Sequence, residues 1–221
     1  MNVGVLLAAG ASTRMKSPKP LVRWKGHSFL VHGTRALWTS CDVVVAVLGS
    51  NAGPVRAALE KEFTELVESG ALTADLHEAR RKGARGLELR FETNAKWKQG
   101  MLSSAKVGLA AALKLKPASI AVLPVDHPEV SGETVDAMTG MMADALKAFQ
   151  SDSPAFPYAL VPRFKGHRGH PLVLSPALAR AIVRDKVAVD LGDAVRRSAR
   201  LVGYVDVRDG GVIRNRNTPK G

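Results

Sequence analysis

Cysteine is almost missing from this chain. Cys41 stands alone among 221 residues, which excludes an intrachain disulfide and any metal site built on a cysteine pair. A buried, inert thiol in a reducing, cytoplasmic compartment fits that usage. Aromatic residues are also scarce, at 5% of the chain, and neither zinc-finger spacing nor an RNA-binding aromatic pattern occurs, which argues against nucleic acid as a partner. No apolar run approaches the ~20 residues of a membrane span. The first apolar run is short, has no basic residue ahead of it and leads straight into Arg14 and Lys16, so it reads as a first strand rather than a signal peptide. Acidic residues are outnumbered: 20 Asp and Glu face 32 Lys and Arg, a formal net charge of +12. Such an excess suits anionic partners, phosphorylated small molecules among them. Most of it reads as solvated surface, with a share reserved for a phosphate site.

What is present is an ordinary globular composition, 46% hydrophobic and 24% charged, in a chain long enough to bury a sizeable core as one domain spanning 1–221. Strand-like runs cover Val3–Ala8, Val43–Leu48, Leu87–Glu92, Ile120–Val125, Ala159–Pro162, Pro171–Leu174 and Val202–Val207. Helical patterns cover Ser28–Thr39, Pro54–Glu68, Ser103–Leu115 and Gly132–Phe149. Ser131 and Ser175 are expected helix N-caps, and Asp190 is expected to cap a last helix reaching Arg200. Alternating strands and helices predict a three-layer α/β fold with a mostly parallel sheet, whose ligands sit beyond the carboxyl ends of the strands. A basic insertion at about 70–86, rich in Arg and Lys, reads either as a solvated surface segment or as a flap over an anionic substrate.

The chemistry-bearing segments fall at strand ends and helix starts. The first strand runs into the small-residue turn Ala9-Gly10-Ala11-Ser12, followed by Arg14 and Lys19. Small residues let backbone N–H groups approach a phosphate closely, and the cations neutralise it. The turn lacks both the Gly-Lys-Ser/Thr ending of the P-loop and the spaced glycines of the dinucleotide fingerprint. The apolar run Ile120–Val125 ends in Asp126, then His127 and Pro128. A carboxylate there is either a ligand for a magnesium ion that carries nucleotide phosphates or a cap for its own loop. Ser103 and Ser104 open an apolar helix after Gly100 and serve either as plain caps or as anion and base contacts. In Gly166-His167-Arg168-Gly169-His170-Pro171, His170 reads as a phosphate-binding histidine or as a core histidine bonded to a backbone carbonyl. His127 reads as lining the substrate site or as a solvent-facing turn residue.

Five segments together resemble the MobA-like NTP transferases, within the nucleotide-diphospho-sugar transferase superfamily, and come nearest to the molybdenum cofactor cytidylyltransferases. They are Ala8-Ala9-Gly10-x-Ser12-x-Arg14-Met15-x-x-x-Lys19, Asn94-x-x-Trp97-x-x-Gly100-Met101-x-Ser103-Ser104, Asp126-His127-Pro128, Gly166-x-x-Gly169-His170-Pro171 and Asn215-x-Asn217-Thr218-Pro219. The resemblance implies a three-layer α/β/α, Rossmann-like nucleotidyltransferase fold. It also implies a Mg2+-dependent enzyme that moves a nucleotidyl group from a nucleoside triphosphate to a phosphorylated small-molecule acceptor, with release of pyrophosphate. CTP is the expected nucleotide, because Ala8-Ala9-Gly10 is similar to the cytidylyltransferase loop whereas guanylyltransferase relatives usually carry Ala-Gly-Gly. Molybdopterin is the expected acceptor, and a sugar phosphate or other phosphorylated alcohol is the alternative.

The implied catalytic residues are Arg14, Lys19 and Asp126. Ala8, Ala9, Gly10, Ser12, Arg14, Lys19, Ser103 and Ser104 would bind nucleotide. His127 and His170 would face substrate, and Asp126 with Asn217 would hold the metal. The chain is expected to be cytoplasmic, a monomer or weak oligomer, with neither membrane nor nucleic acid as partner. Three departures stand out: Lys16 replaces a usual Gly, His127 a usual Gln, and asparagines replace the acids of the C-terminal motif. They leave open a member that binds nucleotide without turning it over.

Overall fold

The run Asn2–Ala8 forms β1, buried on both faces and flanked in parallel by β4 (Val43–Leu48) and β6 (Ser119–Pro124). Such continuously apolar strands are what a sheet covered on both sides requires. The computed structural model describes residues 1–10, 17–72, 88–149, 156 and 158–217. Among these, β5 (Glu88–Thr93) extends the sheet beyond β4, and β9 (Leu172–Leu174), β7 (Tyr158–Phe164) and β10 (Leu201–Asp206) extend it beyond β6. β9 runs antiparallel to both β6 and β7, and β8 (His167–Arg168) folds back antiparallel on β7. The sheet is therefore mostly parallel, as expected, with its reversed strands inside the half that follows β6. A separate hairpin pairs β2 (Arg23–Trp24) with β3 (His27–Ser28) around a Lys25-Gly26 turn in which both residues have positive φ.

Strand alternation distributes the core between two layers. Leu6, Ala8, Val44, Ala46, Leu48, Ala121 and Leu123 pack with α1 (Phe29–Trp38), α2 (Ala52–Glu68) and α4 (Gly132–Phe149). Their neighbours Val3, Val5, Leu7, Val43, Val45, Val47, Ile120 and Val122 pack with α3 (Met101–Lys114), α5 (Pro176–Arg184) and α6 (Leu191–Ser198). A period of two is what sends successive side chains to opposite faces. α3 lies so close to the sheet that a Cβ on Gly108 would sit 2.4 Å from Val5 Cγ1.

The expected caps are in place: Ser131, Ser175 and Asp190 accept backbone N–H bonds from Thr134, Leu178 and Asp193. Ser28, expected inside its helix, instead caps it by accepting from Val31 N. The last helix stops at Ser198 rather than Arg200, where the chain turns into the edge strand β10. The β2–β3 hairpin has no counterpart among the sequence expectations; its strands are only two residues long, too short to show alternation. Cys41 is fully buried, and burial pushes its thiol up to about 12, as an inert thiol requires. Among the described residues no helix is long and apolar enough to cross a membrane. Most of the basic insertion, along with Ser12, Arg14 and Thr218-Pro219, lies outside the described residues.

Candidate active site

The carboxyl ends of β1 and β6 are tied side by side, Val125 donating its N–H to Leu7 O at 3.0 Å. Beyond that tie the two strands release Ala9-Gly10 on one side and Asp126 on the other. Between them opens a cavity of about 200 Å3. Its walls are Ala8, Ala9 and Gly10, Lys19 and Asp126, and Trp97, Gly100, Met101 and Ser104 from the start of α3. The amino end of a fourteen-residue helix thus faces a loop of small residues across a lysine and a carboxylate, an arrangement suited to polyphosphate. Gly100 enters α3 with φ +91°, a conformation that side chains resist. Gly49, at the end of β4, is constrained by space instead: a Cβ there would lie 2.4 Å from Ala9 O and 2.7 Å from Trp97 Cβ.

Asp126 is the electrostatic centre. Its side chain is 15% exposed and that of Lys19 20%. Lys19, presented by a short 3-10 turn over Lys19–Leu21, donates to Asp126 Oδ2 at 3.1 Å and also to Asn217 Oδ1. Asn215 Nδ2 donates to the same Oδ2 at 3.0 Å, and His127 Nδ1 meets Oδ1 at 3.1 Å. Burial alone would raise the Asp126 carboxyl. The His127 hydrogen bond and the Lys19 ammonium outweigh it and hold the group well below the usual carboxylate range. Asp126 is therefore ionised at any working pH.

The structure packs the two histidines against each other beside Asp126. His127 is neither solvent-facing nor on the cavity wall: it is 6% exposed and packed behind Asp126. Its ring meets that of His170 edge-on, with centroids 4.9 Å apart. His170 is fixed through its backbone N–H to Val212 O at 2.9 Å, while its ring Nδ1 is buried with no hydrogen-bond partner among the described residues. Burial, then the neighbouring His127, push its pKa down to about 4, so in the ligand-free protein the ring is neutral near pH 7.

The two serines also divide. Ser104 lines the cavity, whereas the Ser103 hydroxyl donates to Gly100 O and Lys96 O. Both accept from Asn94 Nδ2, at 2.8 and 3.0 Å, and Asn94 Oδ1 accepts from Lys96 N. At 3% exposure, Asn94 is the knot that ties the 93–100 loop to the first turn of α3. Nothing in its sequence spacing announces that role.

The C-terminal segment reaches Asp126 through contacts that carry no sequence signal. Asp209 Oδ2 accepts from Ser131 N and Thr134 Oγ1. Arg214 and Arg216 both pair with Glu129, at 2.9 and 2.8 Å. Arg216 N donates to Asp126 O at 2.8 Å. These clamps suspend Asn215 and Asn217 over the carboxylate. For a divalent cation, Asp126 offers one carboxylate and Asn217 one amide oxygen. Lys19 already bridges both with its ammonium, a stand-in cation that fits the donor set. Among the described residues no three His, Cys, Asp or Glu side chains gather around a point. One or two protein oxygens, with phosphates and water for the rest, is the pattern magnesium uses at nucleotide sites.

The chain matches the model of the MobA-like NTP transferase domain over residues 4–201. No protein of curated function is matched by its sequence. Among solved structures it is similar to Rv0371c from Mycobacterium tuberculosis H37Rv, 20% identical over 99% of this chain and 94% of that one, with a TM-score of 0.65. It is also similar to molybdopterin-guanine dinucleotide biosynthesis protein A from Archaeoglobus fulgidus, 17% identical over 100% and 94%, TM-score 0.58. A third is a CMP:2-keto-3-deoxy-manno-octonic acid synthetase solved with CTP, 11% identical over 99% and 94%, TM-score 0.62. At these identities the likeness is one of fold.

Proposed function

The chain belongs to the MobA-like NTP transferases and is a nucleotidyltransferase; from that premise we propose that it transfers CMP from CTP to the terminal phosphate of molybdopterin cofactor. The carrying observation is the cavity itself, with Lys19 and Asp126 set between the Ala8–Gly10 turn and the start of α3. An oxygen of the acceptor phosphate attacks the α-phosphorus of CTP. A new P–O bond forms, the bond to the bridging oxygen of the leaving group breaks, and pyrophosphate departs with that electron pair. No side-chain nucleophile is needed, so catalysis rests on positioning and on stabilising charge spread over phosphoryl oxygens.

Backbone groups of Ala8, Ala9 and Gly10 and the amino end of α3 would seat the triphosphate. Lys19 would follow the charge onto the departing pyrophosphate, a role that the loop motif also assigns to Arg14. Ser12 shares the nucleotide contacts by the same motif. Ser104 would meet nucleotide on the opposite wall, with Ser103 and Asn94 holding it in register. Asp126 and Asn217 would hold Mg2+, which when bound neutralises phosphate oxygens and orients them. That Rv0371c has also been solved in complex with manganese supports a divalent cation. His127 would orient Asp126 from behind, and His170 would back His127 rather than touch substrate. A single buried, reduced Cys41 suits a cytoplasmic setting.

A second reading, a sugar phosphate or other phosphorylated alcohol as acceptor, is favoured by the fold shared with a 4-diphosphocytidyl-2C-methyl-D-erythritol synthase, whose product carries a diphosphate bridge. The deciding assay is pyrophosphate release from CTP, GTP, UTP and ATP with Mg2+ and molybdopterin cofactor. Release with CTP alone, reduced about 10²–10³-fold or more in Asp126→Ala, is the expected result. Silence with all four nucleotides, followed by turnover on a sugar-phosphate panel, would replace the acceptor. Nucleotide binding without turnover on any acceptor would leave a binding-only protein.

A further inference from the structure

We propose that the Lys19 ammonium holds the cation position of the nucleotide-free protein, so that a divalent ion binds well only together with the polyphosphate that draws Lys19 away. The inference rests on the nucleotidyltransferase reading of the site and deepens it. Both side-chain oxygens of Asp126 are engaged, Oδ2 by Lys19 and Asn215 and Oδ1 by His127. Lys19 spans from Oδ2 to Asn217 Oδ1, the two oxygens with the chemistry to take a cation. The nearby carboxylate of Glu129 is committed to Arg214 and Arg216.

Charge decides the order. Asp126 and Lys19 cancel. A divalent ion added to that pair would leave two positive charges uncompensated beside largely buried side chains, with a cation already in contact with its ligands. An aspartate at position 217 would offset part of this, and the chain has asparagine there instead. A triphosphate brings four negative charges. Lys19 also lines the cavity beside Gly10, and its flexible four-carbon stem lets the ammonium swing from carboxylate to phosphate. The exchange takes the ammonium off Asp126 Oδ2, which keeps its bond from Asn215, and off Asn217 Oδ1 at the moment a counter-charge arrives. By linkage, nucleotide must then tighten the metal by the same factor as metal tightens nucleotide.

Mn2+ titration of the full chain by EPR, alone and with the non-hydrolysable methylene analogue of CTP, tests this in wild type, Lys19→Met and Asn217→Asp. Wild type alone should bind Mn2+ weakly and gain about tenfold or more with the analogue. Lys19→Met should bind Mn2+ alone about tenfold tighter than wild type and lose most of the gain. Asn217→Asp should also tighten the nucleotide-free ion with Lys19 still present. Equal Mn2+ affinity of wild type with and without bound analogue overturns the proposal. So does a folded Lys19→Met that binds the free ion no better than wild type. Should Lys19→Met not fold, Asn217→Asp decides, and unchanged Mn2+ affinity there overturns it. If competition shows that the CTP analogue binds none of the three, the CTP reading fails, while the metal-alone comparison still decides the role of Lys19.

Discussion

His170 carries a consequence that can be measured apart from catalysis. Its folded pKa lies at about 4 against 6.5 for the ordinary group. A base whose value is depressed by folding contributes stability above the unfolded value and loses it as pH falls toward the folded one, because the unfolded chain takes up the proton first. The loss runs from about pH 6.5 to about pH 4, with a ceiling of about 3 kcal/mol from the size of the gap. Half-buried His32, lowered chiefly by burial, pulls in the same direction, so the informative quantity is a difference. Urea unfolding of wild type and His170→Gln at pH 7 and pH 4.5 should show a smaller acid loss in the variant; identical losses would mean that the ring is hydrated in solution. Asp126, whose carboxyl is also depressed, loses stability only as the unfolded carboxyl takes up its proton below about pH 5, and that loss is common to both proteins and cancels from the difference.

At the scale of elements, the active-site end of α3 depends on one buried amide. Asn94 satisfies Ser103, Ser104 and Lys96 N together, and it is anchored to β4 by its own N–H to Leu48 O at 2.7 Å. Truncation to alanine leaves buried polar groups unpaired, for about 1–3 kcal/mol of stability. It also frees the loop that carries Trp97 and Gly100. Asn94→Ala should therefore lower the thermal midpoint and raise the KM for nucleotide more than it lowers kcat; an altered midpoint with unchanged KM would confine Asn94 to folding. The clamp of Asp209 onto the start of α4 is the corresponding device for the C-terminal segment, holding Asn215 and Asn217 near Asp126 from a helix on the other side of the sheet.

For the whole molecule, the two apolar layers share β1, β4 and β6, whose residues alternate between them. Neither layer can be lost while the other keeps its strands paired. The chain should behave as one domain, with thermal unfolding followed by tryptophan fluorescence and by far-UV circular dichroism giving coincident transitions. Separated transitions would divide the half built on β1, β4 and β5 from the half built on β7, β9 and β10. Among the described residues that line the cavity, one lysine stands against one carboxylate.

The sequence by itself determined the elements and the chemical types at their ends. Short, continuous and β-branched apolar runs such as Val43–Leu48 suit doubly covered strands, and the observed β4 has those same bounds. Serines before helical periodicity cap helices through bonds three residues long, and a small-residue turn after a buried strand leaves room for phosphate. All of these are local, and local geometry follows from backbone period and side-chain size. Only the tertiary structure decided who meets whom. Lys19 and Asp126 are 107 residues apart, and Lys19 and Asn217 198. His127 is buried by packing against His170, a contact that no spacing announces. The direction of β9 rests on how the chain returns after β7, since its three residues read alike either way. The part of the site that sequence leaves undetermined is the pairing of charges, because opposite charges attract through space and not along the chain.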